Sequence, residues 1–227
     1  NPLIEQLAQK TKTYWEERLN QGFGYSSEFF TDPDCTATAM KVLLGERKVN
    51  LHPNLLLQNF NGEYVETYAG ERLASVSCNI HTLDTLKRFP KNSKIQPAFK
   101  QIHQWLAKIA CSKKGNEPIF IDKWHFSPIY PISRAIIAFE GIDDQLAQKC
   151  VDWLIKNQFN DGGFGYFNKS SVEESAFAIH ALCYFARHKH TIPLSVFERS
   201  ASFIFNAPIL PKEPFWMGKV LYCPVLV

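Results

Sequence analysis

The chain contains no stretch of about 20 apolar residues, the length a helix needs to span a bilayer. It opens on Asn1-Pro2 and a polar helical pattern, which does not read as a signal peptide. No run of Lys and Arg is longer than two, and the formal net charge is only +3, too little for an electrostatic hold on nucleic acid. The six cysteines (35, 78, 111, 150, 183 and 223) form no CxxC, and none is paired with His at zinc-ligand spacing. Neither a disulfide framework nor a zinc site is therefore expected. Alternation of apolar and polar residues nowhere lasts long enough for a substantial sheet. A Gly-rich phosphate cradle is also missing. The first residue is not Met, and the last three are the apolar Val225-Leu226-Val227, so both ends are expected to be cuts in a longer protein. A cytoplasmic protein, at most peripheral to a membrane, is the default expectation.

What is present is helical. Hydrophobic residues make up 45% of the 227, enough to fill the core of one domain spanning residues 1–227. Apolar spacing predicts helices over 2–19, 33–44, 74–89, 95–111, 131–140, 143–158, 172–189 and 193–206. Asp32-Pro33 supplies a cap and a first-turn proline. Ser75 or Ser77 begins the third helix, and Pro90 stops it. Gly141 ends the fifth. Aromatic residues reach 14%, with 18 Phe, which suits either core filling or an aromatic-lined pocket.

An internal repeat organises these helices. Gly22-Phe23-Gly24-Tyr25 recurs as Gly163-Phe164-Gly165-Tyr166. Each copy is followed by a carboxylate and a helix of small residues: Asp34-Cys35-Thr36-Ala37-Thr38-Ala39, then Glu173-Glu174-Ser175-Ala176-Phe177-Ala178. Weaker copies enter at Asn61-Gly62-Glu63-Tyr64 and at Pro128-Ile129-Tyr130-Pro131. Helix pairs of this kind stack into a solenoid or close into a barrel. The irregular repeat length favours an all-α, α/α-barrel fold, a toroid of helical hairpins. Asp34, Ser77, His81, Arg134 and Glu173 are expected near one polar ring.

Several segments, in order along the chain, resemble class II terpene cyclases. Lys149-Cys150-Val151-Asp152-Trp153-Leu154 with Gln158 and Asp161-Gly162-Gly163-Phe164 is similar to the QW repeat. Asp32-Pro33-Asp34-Cys35-Thr36-Ala37 resembles the acid motif Asp-x-Asp-Asp-Thr-Ala, with Cys35 replacing its last Asp. Ser75-Val76-Ser77-Cys78-Asn79-Ile80-His81, Asp122-Lys123-Trp124-His125 and Trp216-Met217-Gly218-Lys219-Val220-Leu221-Tyr222 resemble further segments of bacterial diterpene cyclases. The Asp-Cys-Thr-Ala string is also similar to oxidosqualene cyclases.

The resemblance implies a catalytic β-type domain that protonates an alkene. Asp34 is the implied acid, Asp32 sets its proton state, and His81, Cys35 and Cys78 are donors to the carboxylate left behind. Trp124, Phe126, Tyr130, Phe164 and Tyr166 are candidates to face the cation. Lys123, Arg134 and Lys219 are candidates to hold a substrate diphosphate. No tightly bound cofactor is implied; Mg²⁺ would serve as an optional partner of the diphosphate. The Asp-rich motif of ionisation-initiated cyclases is not found, since Asp143-Asp144 lacks further carboxylates at helical spacing. The residues alone leave blander roles open: a helix cap for Asp32, a core histidine for His81, packing for the aromatics and surface pairing for the cations. Three functions fit. The first is cyclisation of farnesyl or geranylgeranyl diphosphate to a drimane- or labdane-type bicyclic diphosphate. The second is cyclisation of a squalene-like or meroterpenoid substrate, and the third is a scaffold without catalysis. The partners implied are a polyprenyl substrate and a companion γ or phosphatase domain in the full-length protein.

Overall fold

The computed structural model describes residues 2–26, 29–44, 52–110, 117–188 and 191–207. Among these, every regular element is helical: α1 (Pro2–Arg18), α2 (Pro33–Leu43), a 3-10 turn (Pro53–Leu57), α3 (Val76–Leu86), α4 (Gln96–Ala110), α5 (Ile129–Phe139), α6 (Asp144–Lys156), α7 (Val172–Ala186) and α8 (Leu194–Asn206). Each helix expected from apolar spacing is present. The 3-10 turn was not expected, because five residues are too few to display a period. Helix α3 stops at Leu86, short of Pro90, and the chain unwinds through tighter bonds from Arg88 to Thr85 and from Phe89 to Leu86. Trp216–Tyr222, Lys219, Cys111 and Cys223 lie outside the described residues.

The repeat seen in the sequence is a repeat of hydrogen bonds. In the first copy Phe23 N–H donates to the Thr36 hydroxyl at 2.9 Å, and Asp32 N–H donates to the Phe23 carbonyl at 2.8 Å. In the second, Phe164 N–H donates to the Ser175 hydroxyl at 2.8 Å, and Ser171 N–H donates to the Phe164 carbonyl at 2.9 Å. Asp32 caps α2 through Cys35 N–H, as Ser171 caps α7 through Glu174 N–H. In both copies the chain folds back through an isolated bridge, Gly24 with Thr31 and Phe164 with Ser171. Such a turn leaves no room for a Cβ at its glycine. One added to Gly24 would lie 2.3 Å from the Phe30 carbonyl oxygen, and one at Gly165 would lie 1.7 Å from that of Lys169.

The chain divides into two compact units, residues 1–74 with 81–103, and residues 75–80 with 104 onward. In the first, α2 is two-faced. It buries Pro33, Thr36, Ala37, Met40 and Leu43 and packs on the 3-10 turn, where Leu56 is fully buried. In the second, α5 is buried nearly all round, from Ile129 to Phe139, with α6 and α7 packed against it and α8 against α7. Gln158, the glutamine of the QW-like segment, ties the turn to α8. Its side-chain nitrogen lies 2.9 Å from the Gly162 carbonyl, 3.0 Å from that of Val196 and 2.8 Å from the Ser200 hydroxyl.

Gly24→Ala and Gly165→Ala must each push backbone aside, at a cost of about 1–3 kcal/mol. Urea unfolding should show both losses; stability equal to the unsubstituted protein for either variant would contradict the turn geometry.

Candidate active site

Helix α2 turns its second face, Asp34, Cys35, Thr38, Ala39 and Val42, toward a cavity of about 590 Å³. The opposite wall carries Tyr14 and Trp15 of α1, and the turn adds Phe23 and Tyr25. That size falls within the roughly 300–1,000 Å³ typical of small-molecule sites, and four of its lining residues are aromatic. Asp34 is the carboxyl group in the wall. Its side chain is 32% exposed, so it is held yet reachable.

One contact defines this acid. His81 Nδ1 lies 2.5 Å from Asp34 Oδ1, and the His81 side chain is 7% exposed. The bond joins α2 to α3 across 47 residues of sequence. With Nδ1 protonated, His81 donates to Asp34 and compensates the negative charge left when Asp34 gives up a proton.

Asp32 is the other carboxylate of the motif and behaves differently. It is buried, and its Oδ1 accepts the Cys35 N–H at 2.7 Å. Burial raises its pKa to about 6 against the lowering effect of the Cys35 donors, and the nearby Asp34 charge adds to the rise. The Cys35 thiol is pushed upward by burial and by the Asp32 charge, so it stays protonated.

The second unit holds two polar centres of its own. Asp122 accepts six hydrogen-bond contacts. Its Oδ1 takes Val76 N–H (2.9 Å), Ser77 N–H (3.1 Å) and the Ser75 hydroxyl (3.2 Å). Its Oδ2 takes the Ser77 hydroxyl (2.9 Å), Trp124 N–H (3.2 Å) and His125 Nδ1 (2.7 Å). Burial alone would raise its pKa; the His125 bond and charge, with the Ser77 donors, bring it down to about 2. This anion occupies the positive end of α3. Glu174 is buried at the start of α7 and accepts the Ser127 hydroxyl at 2.5 Å and the Ser171 hydroxyl at 2.8 Å; burial raises its pKa. Among the described residues, no cluster of three or more His, Cys, Asp or Glu could hold a metal ion. No helix among them is long and apolar enough to cross a membrane.

No protein-family model matches the chain. It is 29% identical over 211 residues to the type B diterpene cyclase of Mycobacterium tuberculosis, a match covering 91% of this chain and 41% of that one. It is also 29% identical over 205 residues to a copalyl diphosphate synthase of Streptomyces anulatus, covering 84% of this chain and 36% of the other. Among solved structures, ent-copalyl diphosphate synthase from Streptomyces platensis matches with a TM-score of 0.74 and 21% identity, over 86% of this chain and 39% of that chain. The chain carries a class II terpene cyclase domain. The structural likeness shows the fold, all-α and of the α/α-barrel class. The chain spans less than half the length of these relatives.

In this class II terpene cyclase domain the acid-motif residues expected from the sequence fall together in the first unit: Asp32, Asp34, Cys35 and His81. The Cys35 donors go to Asp32. The other expected residues lie in the second unit. Cys78 is fully buried, and its N–H donates to the Ser75 hydroxyl. Lys123 stands over the Trp124 ring at 5.0 Å. Tyr130 is stacked on His125 at 4.0 Å and meets Phe177 edge-on at 4.8 Å. Arg134 is half-buried on α5. Phe164 is fully enclosed, whereas Phe126 and Tyr166 are each 52% exposed. Tyr14, Trp15, Phe23, Tyr25 and Asp122 were not singled out. The signal for Phe23 and Tyr25 was the repeated Gly-Phe-Gly-Tyr turn, and for Asp122 its place in a segment resembling the cyclases; Tyr14 and Trp15 left none.

Asp32 has a folded pKa above the unfolded value, so its contribution stabilises the fold below the ordinary carboxylate range and is lost as pH rises through about 6. Asp32→Asn keeps a capping oxygen and removes the titration. Relative to that variant, the unsubstituted domain should lose about 2–3 kcal/mol between pH ~4 and pH ~6 in urea unfolding. Parallel pH curves for the two proteins would contradict the assignment.

Proposed function

We propose that the protein containing this domain cyclises a linear prenyl diphosphate by protonating its terminal alkene, and that the diphosphate is retained. The observation that carries this reading is Asp34, bonded to His81 and set in the wall of a cavity to which four aromatic residues contribute. Asp34 gives its proton to the terminal alkene carbon. The cation forms on the neighbouring tertiary carbon, where the next double bond attacks it to close a ring, and a second closure follows. Loss of a proton or capture of water ends the sequence. An unactivated alkene is a poor base, so the acid has to be strong at the moment of transfer. The His81 donor supplies that strength by stabilising the product carboxylate. Asp32, the neighbouring carboxylate of the motif, is proposed as the residue that sets the proton state of Asp34. Tyr14, Trp15, Phe23 and Tyr25 line the cavity and are proposed to stabilise the cation, at about 0.5–2 kcal/mol for each ring face presented to it.

The relatives named diterpene cyclase and copalyl diphosphate synthase support a prenyl diphosphate substrate. Farnesyl diphosphate would give a drimane-type and geranylgeranyl diphosphate a labdane-type skeleton. Lys123, Arg134 and Lys219 are proposed as diphosphate ligands, with Mg²⁺ as an accompanying ion. Asp34 is a third exposed, so the water-excluding wall would come from the rest of the longer protein or from the seated substrate.

The test is incubation of the full-length protein with farnesyl diphosphate, geranylgeranyl diphosphate and squalene, followed by dephosphorylation and mass spectrometry. A bicyclic alcohol from one of the diphosphates is expected, falling by at least about 10³-fold in folded Asp34→Asn. A cyclised squalene product would move the assignment to that substrate class. No product from any of them would support the scaffold alternative.

A further inference from the structure

Besides the Asp34–His81 bond, α2 and α3 are joined at two further points. One turn beyond Asp34, the Ala37 carbonyl accepts the Thr85 hydroxyl at 3.2 Å. Two turns beyond Asp34, about 10 Å along the axis, Lys41 is ion-paired with Asp84. Asp34, Ala37 and Lys41 lie at i, i+3 and i+7 on one side of α2, and His81, Asp84 and Thr85 lie within one turn of α3.

The pair is costly to keep. The Asp84 side chain is 4% exposed and that of Lys41 19%, so both charges are largely out of water. Burial would raise the Asp84 pKa, but Lys41, Lys87 and Arg88 outweigh it and hold it below the usual range. A buried ion pair is weak evidence for stability, since apolar residues of similar volume often do as well. The best-attested use of such a pair is register: Lys41 meets Asp84 with α2 and α3 in the same positions that bring Asp34 to His81. An apolar seam would tolerate a shift that a 2.5 Å acid–imidazole bond would not.

We propose that Lys41 and Asp84 are positioning residues that set the register of α2 against α3 and so hold Asp34 at hydrogen-bonding distance from His81. Neither lines the cavity. This inference rests on the function proposed above for Asp34, and its test separates the two. Lys41→Met is the informative change. Lys87 remains 3.4 Å from Asp84 Oδ1, so the buried carboxylate keeps a counter-charge.

The first readout is the ring Nδ1 proton resonance of His81 in histidine-labelled full-length protein, with Asp34→Ala marking the position without the bond. In Lys41→Met the resonance should move to the Asp34→Ala position, while Lys41→Arg keeps that of the unsubstituted protein. The second readout is turnover of the prenyl diphosphate. Lys41→Met should lower kcat by about 10²-fold with KM nearly unchanged, the size expected when a reacting group is misplaced by about 1 Å. A folded Lys41→Met that retains the His81 resonance overturns the proposal, whatever its stability. If Lys41→Met does not fold, Asp84→Asn is read in the same way. Should the unsubstituted protein turn over no prenyl substrate, the function falls, and the His81 resonance still decides the role of Lys41.

Discussion

A carboxylic acid that protonates an alkene has two opposed requirements. It must keep its proton in the resting state, and its conjugate base must be stabilised at the instant of transfer. In the proposed reaction the contact between His81 Nδ1 and Asp34 Oδ1 would meet the second, and it joins two helices far apart in sequence. The cap at Asp32 starts α2 at the buried Pro33, and Asp34 falls on the cavity side. The small side chain of Ala37 leaves its carbonyl open to Thr85. The arrangement is a matter of helix position first and of chemistry second.

The buried carboxylates show how strongly the surroundings decide charge. Asp32, Asp84, Asp122 and Glu174 are each almost fully enclosed. Asp32 has Cys35 and little else, and it rises to about 6. Asp122 has a histidine, hydroxyls and the amides at the start of α3, and it falls to about 2. Burial alone therefore predicts neither sign. One of these groups belongs to the acid motif, while Asp122 fixes a helix start and Asp84 joins two helices.

Much of this was legible in the sequence, for reasons that can be named. The helices showed because their apolar residues recur at a 3.6-residue period, and the repeat showed because its turn demands glycine where backbone oxygens approach. Asp34 and His81 were found by resemblance to the cyclases; their spacing alone would not have paired residues 47 apart. The roles of Lys41 and Asp84 were not legible. A lysine and an aspartate on helices look like surface charges until the packing shows them inside. Tyr14 and Trp15 were read only as a helix, because a cavity wall made by two elements leaves no mark in either one.

The most direct test of the central claim follows the proton itself. The full-length protein would be incubated with its prenyl diphosphate in deuterium oxide, and the cyclised product analysed by mass spectrometry and NMR. Protonation by Asp34 predicts one deuterium on the ring carbon next to the gem-dimethyl carbon, with the diphosphate still attached. A cyclised product without deuterium at that carbon, formed with release of inorganic diphosphate, would mean that ionisation starts the reaction and that Asp34 is not its acid.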